Sequence, residues 1–176
     1  LQPVMKKDYS EYLDGFNEAL RLIDETVESL NRISYGLRPS LLEDLGIIAV
    51  IEWHVNEFSI ATGILCRTKY DPEAITLNSS ISLVIFRIIQ ESLTNIFKHS
   101  KATRVSIRMT LDSISLILVV KDNGIGIDIE NIHNPKSFGI SGMKERVKSI
   151  GGELIINGVK NKGTQILVSI PVNKIE

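Results

Sequence analysis

Cysteine is nearly absent from this 176-residue sequence, in which Cys66 is the only one. A single cysteine excludes an internal disulfide framework and is typical of a protein from a reducing compartment. Cys66 lies among apolar residues in a predicted strand, which favours a buried, inert thiol over a nucleophile. The sequence also lacks internal repeats, a signal peptide and any apolar run that approaches membrane-spanning length.

Positive charge is not in excess either, because the sequence has 20 Lys and Arg residues and 21 Asp and Glu residues. This balance argues against nucleic acid or an anionic membrane as the main partner, and we expect no direct membrane contact. The composition, 43% apolar and 23% charged, suits one globular domain with an appendage. His54 has no second His or Cys at ligand spacing, so we expect a surface or core histidine there and no metal ligand.

The first 38 residues carry a narrow apolar seam. Apolar positions recur at alternating steps of four and three over about four heptads, which predicts a helix roughly 40 Å long. A core helix of the following domain is the alternative, but the acidic outer faces and the length of the seam favour a bundle or coiled-coil arm. The seam residues are Tyr9, Leu13, Phe16, Leu20, Ile23, Val27, Leu30, Ser34 and Leu37.

The remainder of the chain alternates helical and strand patterns. Pro39 stops the seam helix, and residues 39–46 are predicted to link it to a main domain, residues 47–176. Hydrophobic periodicity predicts helices over 47–61, from about residue 79, and from Phe138 to the glycines at 151–152. Strands are predicted at 64–70, 104–111, 115–120, 153–157 and 164–170, and the second and third form a hairpin at Asp112-Ser113.

Polar residues interrupt the end of the helix that begins near residue 79. Glu91, Asn95 and His99 are spaced four apart, which places an acid, an amide and an imidazole on one helix face. A solvated helix face is the simpler interpretation of these three residues alone. The segment some twenty residues downstream favours a site instead, because a predicted strand ends in Asp122, and Gly124 and Gly126 then allow close backbone approach to a ligand.

A second glycine pair also favours a ligand site. Gly139 and Gly142 lie at the mouth of the last predicted helix, whose first N–H groups are free to bind phosphate. Residues 127–137 show no periodicity and form a loop long enough to act as a lid. His133, within this loop, is expected to face solvent.

Together these motifs resemble the ATP-binding domain of the gyrase, heat-shock chaperone, histidine kinase and mismatch-repair ATPase superfamily. The motifs are Glu91-x-x-x-Asn95 with Lys98-His99, Asp122-x-Gly124-x-Gly126, Gly139-x-x-Gly142-Met143-x-Glu145-Arg146, and Gly163-Thr164. The connector Leu37-Arg38-Pro39, followed by Leu41 to Ile47, is similar to that of two-component sensor histidine kinases of the NarL-partner subfamily.

The resemblance implies an α/β fold, an α+β two-layer sandwich in which a mixed, mostly antiparallel sheet lies under three helices, preceded by the long bundle helix. Residues 1–38 would be the second helix of the dimerisation and phosphotransfer bundle, and residues 47–176 the catalytic domain. The resemblance implies ATP and Mg²⁺ as cofactors. It implies a response regulator and a homodimer mate as partners, and it does not imply nucleic acid. The resemblance also implies a cytoplasmic location, with a parent protein that is either soluble or membrane-anchored.

The resemblance also assigns roles to residues. Asp122 would accept a hydrogen bond from the adenine amino group, supported by Thr164, and Asn95 would ligate Mg²⁺. Glu91 is the catalytic candidate, polarising the attacking group. The remaining residues implied in nucleotide binding are Lys98, His99, Gly124, Gly126, Gly139 and Gly142.

Two departures from the family pattern affect these expectations. Ser137 replaces a glycine that often precedes the second glycine motif. No histidine in this sequence lies in the sequence context expected of a phosphoacceptor. We therefore interpret the chain, which starts without methionine, as a fragment that binds ATP without completing autophosphorylation. A hydrolysing ATPase, a serine-directed anti-sigma kinase and a non-enzymatic dimerisation module with a degenerate pocket are the alternatives.

Overall fold

The computed structural model describes residues 39–127 and 138–171, together with Tyr12 and Gly15. Apart from these two residues, the predicted seam helix lies outside the described residues, as does nearly all of the predicted lid. The second compact unit of the chain, Leu41–Glu176, contains the sheet and the cavity considered below. The described elements of the chain are α1 Pro39–Thr62, β1 Leu65–Asp71, α2 Ser79–Asn95, a π turn Ile96–Ser100, β2 Arg104–Leu111, β3 Ser115–Asp122, α3 Phe138–Ser149, β4 Glu153–Val159 and β5 Gly163–Pro171.

The strands form one mixed sheet in the order β1-β2-β3-β5-β4. β1 runs parallel to β2, and the other neighbouring pairs are antiparallel, which confirms the predicted sheet type. The predicted hairpin between β2 and β3 is also confirmed. Its turn is closed by the Asp112 carboxylate, which accepts the N–H groups of Ile114 and Ser115 at 2.7 and 2.8 Å.

Alternation along the strands assigns one face of the sheet to the core. Leu116, Leu118 and Val120 of β3 are buried, and the period of two places Asp122 on the same face at the strand end. Buried residues of β2 and β5 continue this face: Val105, Ile107, Met109, Ile166, Val168 and Ile170. The helices cover it, so the domain has two layers, as predicted.

The segment predicted as a linker is helical instead. Helix α1 begins at Pro39, where a missing N–H is tolerated, and continues to Thr62 with one interruption at Gly46. Gly46 has φ 77° and ψ 164°, a conformation that favours glycine. Leu42, before the interruption, is buried in the domain core, and its burial explains why the segment does not behave as a free connector.

Helix α2 is the central helix of the helical layer. Asn78 caps it, accepting the Ile81 N–H at 2.9 Å. By length and composition, Ser79–Ser100 could span a membrane, contrary to our expectation that no apolar run approached that length. However, Ile85, Ile88 and Ile89 are completely buried in the domain core, and the helix contacts β3 and α3. The apolar run therefore reflects a core helix.

Candidate functional site

A cavity of about 660 Å³ opens between α2, α3 and the ends of β3 and β5, within the range of small-molecule sites. Its lining comes from six elements and the loop after β3, so no single segment of sequence forms it. The lining residues are Glu91, Ser92, Asn95, Ile96, His99, Ser100, Val120, Asp122, Ile125, Gly126, Ile127, Gly139, Ile140, Met143, Ile156, Thr164 and Ile166.

Most of the predicted site residues meet in this cavity. Those that line it are Glu91, Asn95, His99, Asp122, Gly126, Gly139 and Thr164. Gly124 lies behind the lining, where its N–H donates to the Asp122 carboxylate. Lys98 is exposed and does not line the cavity. Gly142 is also outside the lining: it lies in the second turn of α3, where backbone N–H groups are already used within the helix.

Asp122 forms a fixed acceptor in the cavity wall. It is 3% exposed and follows the core-facing alternation of β3, so its carboxylate enters the cavity instead of solvent. One carboxylate oxygen accepts the Gly124 N–H at 2.7 Å, and the other accepts the Thr164 N–H at 3.1 Å. These donors hold the group in place, and each oxygen keeps a further lone pair for a ligand.

The loop after β3 is pressed against the π turn. A β-carbon at Gly124 would overlap the carbonyl oxygen of Ser100, and the Ile125 N–H donates to that same oxygen at 2.8 Å. Asn123 closes the other side, since its side-chain oxygen accepts the N–H groups of Thr103 and Arg104 at 3.0 and 2.8 Å. This close packing explains the glycine at 124 and fixes the strand end that carries Asp122.

The residues on α2 form the opposite wall. The Asn95 amide donates to the Glu91 carboxylate at 3.1 Å, as the predicted shared helix face requires. This bond directs the amide oxygen of Asn95 away from Glu91. The π turn begins immediately after Asn95 and places His99 along the same cavity; π turns inside helices are frequent at functional sites.

The apolar walls of the cavity were not predicted. Val120, Met143, Ile156 and Ile166 line it, so the cavity combines uncharged apolar side chains with the Asp122 carboxylate. The two-residue period of a strand could have predicted two of these wall residues, because Val120 lies two residues before Asp122 and Ile166 lies two residues after Thr164. The contribution of Ile156 had no local signal, since it depends on the pairing of β4 with β5.

The donor set of the cavity is unsuited to a metal cage. Among the residues that the structure describes, no group of three or more His, Cys, Asp and Glu side chains could hold a metal ion. Asn95 nevertheless offers a hard oxygen atom at the cavity wall, because its amide nitrogen and not its amide oxygen is bonded to Glu91. A single oxygen ligand of this kind fits Mg²⁺, which keeps several waters and takes one or two protein ligands together with substrate phosphates.

Comparison with known sequences identifies relatives of the whole chain. A family model described as histidine kinase-, DNA gyrase B-, and HSP90-like ATPase matches residues 81–174. The signal transduction histidine-protein kinase/phosphatase DegS of Brevibacillus brevis is 34% identical over 97% of this chain and 44% of its own length. The oxygen sensor histidine kinase NreB of Staphylococcus carnosus is 26% identical over 95% of this chain and 48% of its own. The chain thus spans less than half of either relative.

Solved structures show the same fold. The histidine kinase AdeS of Acinetobacter baumannii superimposes with a TM-score of 0.64 at 15% identity, covering 88% of this chain and 84% of that one. The mycobacterial sensor histidine kinase MprB gives a TM-score of 0.55 at 23% identity, over 70% of this chain and 93% of that one. At these identities the similarity concerns the fold alone.

Proposed function

The chain belongs to the histidine kinase-, DNA gyrase B-, and HSP90-like ATPase family, and we propose that it contains the ATP-binding catalytic domain of a two-component sensor histidine kinase. Its relatives DegS and NreB carry histidine kinase names. The observation that carries the proposal is the Asp122 carboxylate, which is buried in a cavity with apolar lining residues and held by two backbone N–H groups. It is an acceptor-only group in a cavity of suitable size.

Asp122 is proposed to select adenine. A carboxylate accepts a hydrogen bond from the exocyclic amino group of adenine, whereas the carbonyl oxygen at the same position of guanine would be repelled. Val120, Met143 and Ile166 would pack against the faces of the base, which removes apolar area from water. Thr164 contributes through its backbone N–H, which holds the carboxylate in position.

The phosphate end is proposed to lie toward Asn95, His99 and the start of α3. Gly139 and Ile140 belong to the first turn of that helix, whose N–H groups lack intrahelical partners and attract anions. We do not include Gly142 among the proposed phosphate-binding residues, because it lies one turn further along the helix. Bound Mg²⁺, ligated by the Asn95 amide oxygen, would neutralise phosphate charge. Lys98, although outside the cavity lining, adds a nearby positive charge.

The proposed reaction is phosphoryl transfer. The bond between the γ-phosphorus of ATP and its bridging oxygen breaks, ADP leaves, and a new bond forms to a histidine nitrogen of the parent protein. Such transfers depend mainly on positioning and charge neutralisation, and Glu91, which lines the cavity, is proposed to polarise the attacking group. A response regulator would then receive the phosphoryl group. We further propose a cytoplasmic location and homodimerisation through the helix predicted over residues 1–38.

Titration calorimetry with Mg-ATP and Mg-GTP tests the nucleotide site. We expect ATP to bind at least about tenfold more tightly than GTP, and Asp122→Asn to weaken ATP binding by about 10- to 100-fold, since a hydrogen bond to a charged group is lost. Asp112→Asn is the matched control, because Asp112 also caps a backbone turn but lies at the far end of β3. Equal affinities for ATP and GTP, or equal effects of the two variants, would exclude the proposed role of Asp122.

The kinase assignment is tested on the complete protein. Incubation with ATP labelled at the γ-phosphate should give protein-bound phosphate that is acid-labile and base-stable, as expected of phosphohistidine. Release of inorganic phosphate without a labelled protein would favour the hydrolysing ATPase instead.

A further inference from the structure

The outer face of the sheet, opposite the helical layer, concentrates positive charge. Strand register aligns Arg67 of β1 with Ser106 of β2 and Ser106 with Lys121 of β3, in one row across the sheet. The next row aligns Lys69 with Arg108, and Arg104 precedes both rows. We call the five exposed cations the basic face: Arg67, Lys69, Arg104, Arg108 and Lys121.

No acidic residue lies among these five positions. Asp71 and Glu153 share the outer face, but both belong to the row beyond Lys69 and Arg108, where they pair with Thr110 and Ser169. Within the described part of the chain, the charged groups of the basic face have no ion-pair partner. Because the whole chain has a net charge of −1, this concentration is local and does not reflect a basic protein.

Apolar and neutral polar residues continue the same rows beyond the cations. The row of Arg108 extends through Val119 and Leu167 to Ile155, which is 42% exposed. The row of Lys121 extends through Gln165 to Asn157. An apolar strip bordered by arginines and hydrogen-bonding side chains is typical of a protein–protein interface, in which arginine is enriched.

The composition of the face disfavours single-stranded nucleic acid as the partner. The outward positions of the five strands carry no Phe, Tyr or Trp. Sheets that bind single-stranded nucleic acid stack bases on such aromatic side chains. Three of the five cations are arginines, whose guanidinium groups match carboxylates in a bidentate manner.

We propose that the basic face docks onto a carboxylate-rich surface of a partner protein. Salt links from Arg67, Arg104 and Arg108 give the orientation of the complex, and the strip from Val119 to Ile155 supplies its apolar contact. The cavity lies on the other face of the sheet, so the partner binds without covering it. The inference goes beyond the proposed function and holds whether or not the cavity binds ATP.

Fluorescence anisotropy with labelled poly-L-glutamate, measured on the full chain at low and high ionic strength, tests the proposal. We expect salt-sensitive binding that falls about tenfold or more in the variant Arg104→Glu/Arg108→Glu. The control variant Lys148→Glu/Lys160→Glu changes net charge equally at exposed positions away from the sheet face and should bind like the wild type. Thermal unfolding of each variant verifies that the fold is retained.

Two further probes separate the possible anions. Phosphatidylserine vesicles and a single-stranded oligonucleotide should bind more weakly than poly-L-glutamate, and amide chemical shifts should change on β1, β2 and β3 only with the peptide. Equal loss in both double variants would overturn the proposal, because binding would then follow net charge alone. Tighter binding of vesicles or oligonucleotide to the basic face would also overturn it, in favour of a membrane or nucleic-acid surface.

Discussion

Gly139, at the start of α3, packs directly against the Glu91 carboxylate of α2. A β-carbon at Gly139 would lie 3.0 Å from the carboxyl carbon of Glu91 and would overlap one of its oxygens. That same carboxylate accepts the Asn95 amide. The glycine therefore determines where Glu91 can lie, and through Glu91 it influences the orientation of the Asn95 side chain.

We expect Gly139→Ala to weaken Mg-ATP binding by about tenfold, because the new methyl group displaces the Glu91 carboxylate and breaks its hydrogen bond to Asn95. The free energy of unfolding should change by less than about 1 kcal/mol, since the displaced group is a flexible side-chain end and alanine favours the helix. Titration calorimetry and thermal unfolding measure the two quantities.

Gly142→Ala is the matched control for that experiment. A β-carbon there would lie 3.2 Å from the Arg146 guanidinium, which can move by a few tenths of an ångström. We expect this variant to be up to about 1 kcal/mol more stable, with unchanged ATP affinity. If both glycine variants lost ATP affinity equally, the specific effect of the Glu91 contact would be ruled out.

Asn95→Ala should remove the Mg²⁺-dependent part of ATP affinity, a loss of about tenfold or more, and leave the weaker metal-independent binding unchanged. The measurement is ATP titration with Mg²⁺ and with a chelator. Thr94→Ala serves as control, because Thr94 is exposed on the same helix, outside the cavity lining. An equal loss with and without Mg²⁺ would remove Asn95 from the metal site.

Cys66 should react slowly with alkylating reagents in the folded protein. Burial raises the pKa of its thiol from 9.0 to about 11. At pH 8 this shift corresponds to roughly 100-fold less thiolate than in the unfolded chain, so iodoacetamide should modify the native protein about 100-fold more slowly than the protein in urea. Equal rates in the two states would show that the partial burial of Cys66 does not raise the pKa of its thiol.

The same pKa shift predicts a pH dependence of stability. The folded state holds the thiol proton more tightly than the unfolded state does, so the stabilising contribution is complete below pH 9 and is lost as the pH rises from 9 to about 11. Denaturant titrations across this range should show the loss in the wild type. Cys66→Ala should show a smaller decrease, and an identical decrease in both proteins would refute the assignment to Cys66.

Removal of residues 1–38 should give a monomer that still binds ATP. If the predicted helix forms, its seam would expose several apolar side chains, each worth about 1.5–3 kcal/mol when buried, so we expect the intact chain to associate in a concentration-dependent manner. Every cavity residue lies beyond Pro39, which is why binding should survive truncation. Sedimentation and calorimetry measure the two outcomes.

Two results would contradict this expectation. An intact chain that stays monomeric at high concentration would remove the basis for the dimer. A truncated chain that folds but no longer binds ATP would make the N-terminal segment part of the site's support.

Local sequence was sufficient for the residues that share one element. The spacing of Glu91, Asn95 and His99 predicted a common face because helical geometry depends only on neighbours three and four positions apart. The apolar run over residues 116–120 likewise predicted a strand that leads into a carboxylate, and the short connection at Asp112-Ser113 predicted the hairpin. Such features are encoded within one or two turns or strands, where backbone geometry leaves few choices.

Other features depend on which distant segments meet, and only the tertiary structure decided them. One is the segment after Pro39, which is helical and buries Leu42 in the domain core. Asp122 is held by the Thr164 N–H, 42 residues away, and the apolar cavity walls come from separate strands and helices. The basic face exists only because strand register aligns β1, β2 and β3. Hydrogen bonding between strands determines that register, so the sequence by itself determined the candidate groups, whereas their arrangement in space required the packed sheet.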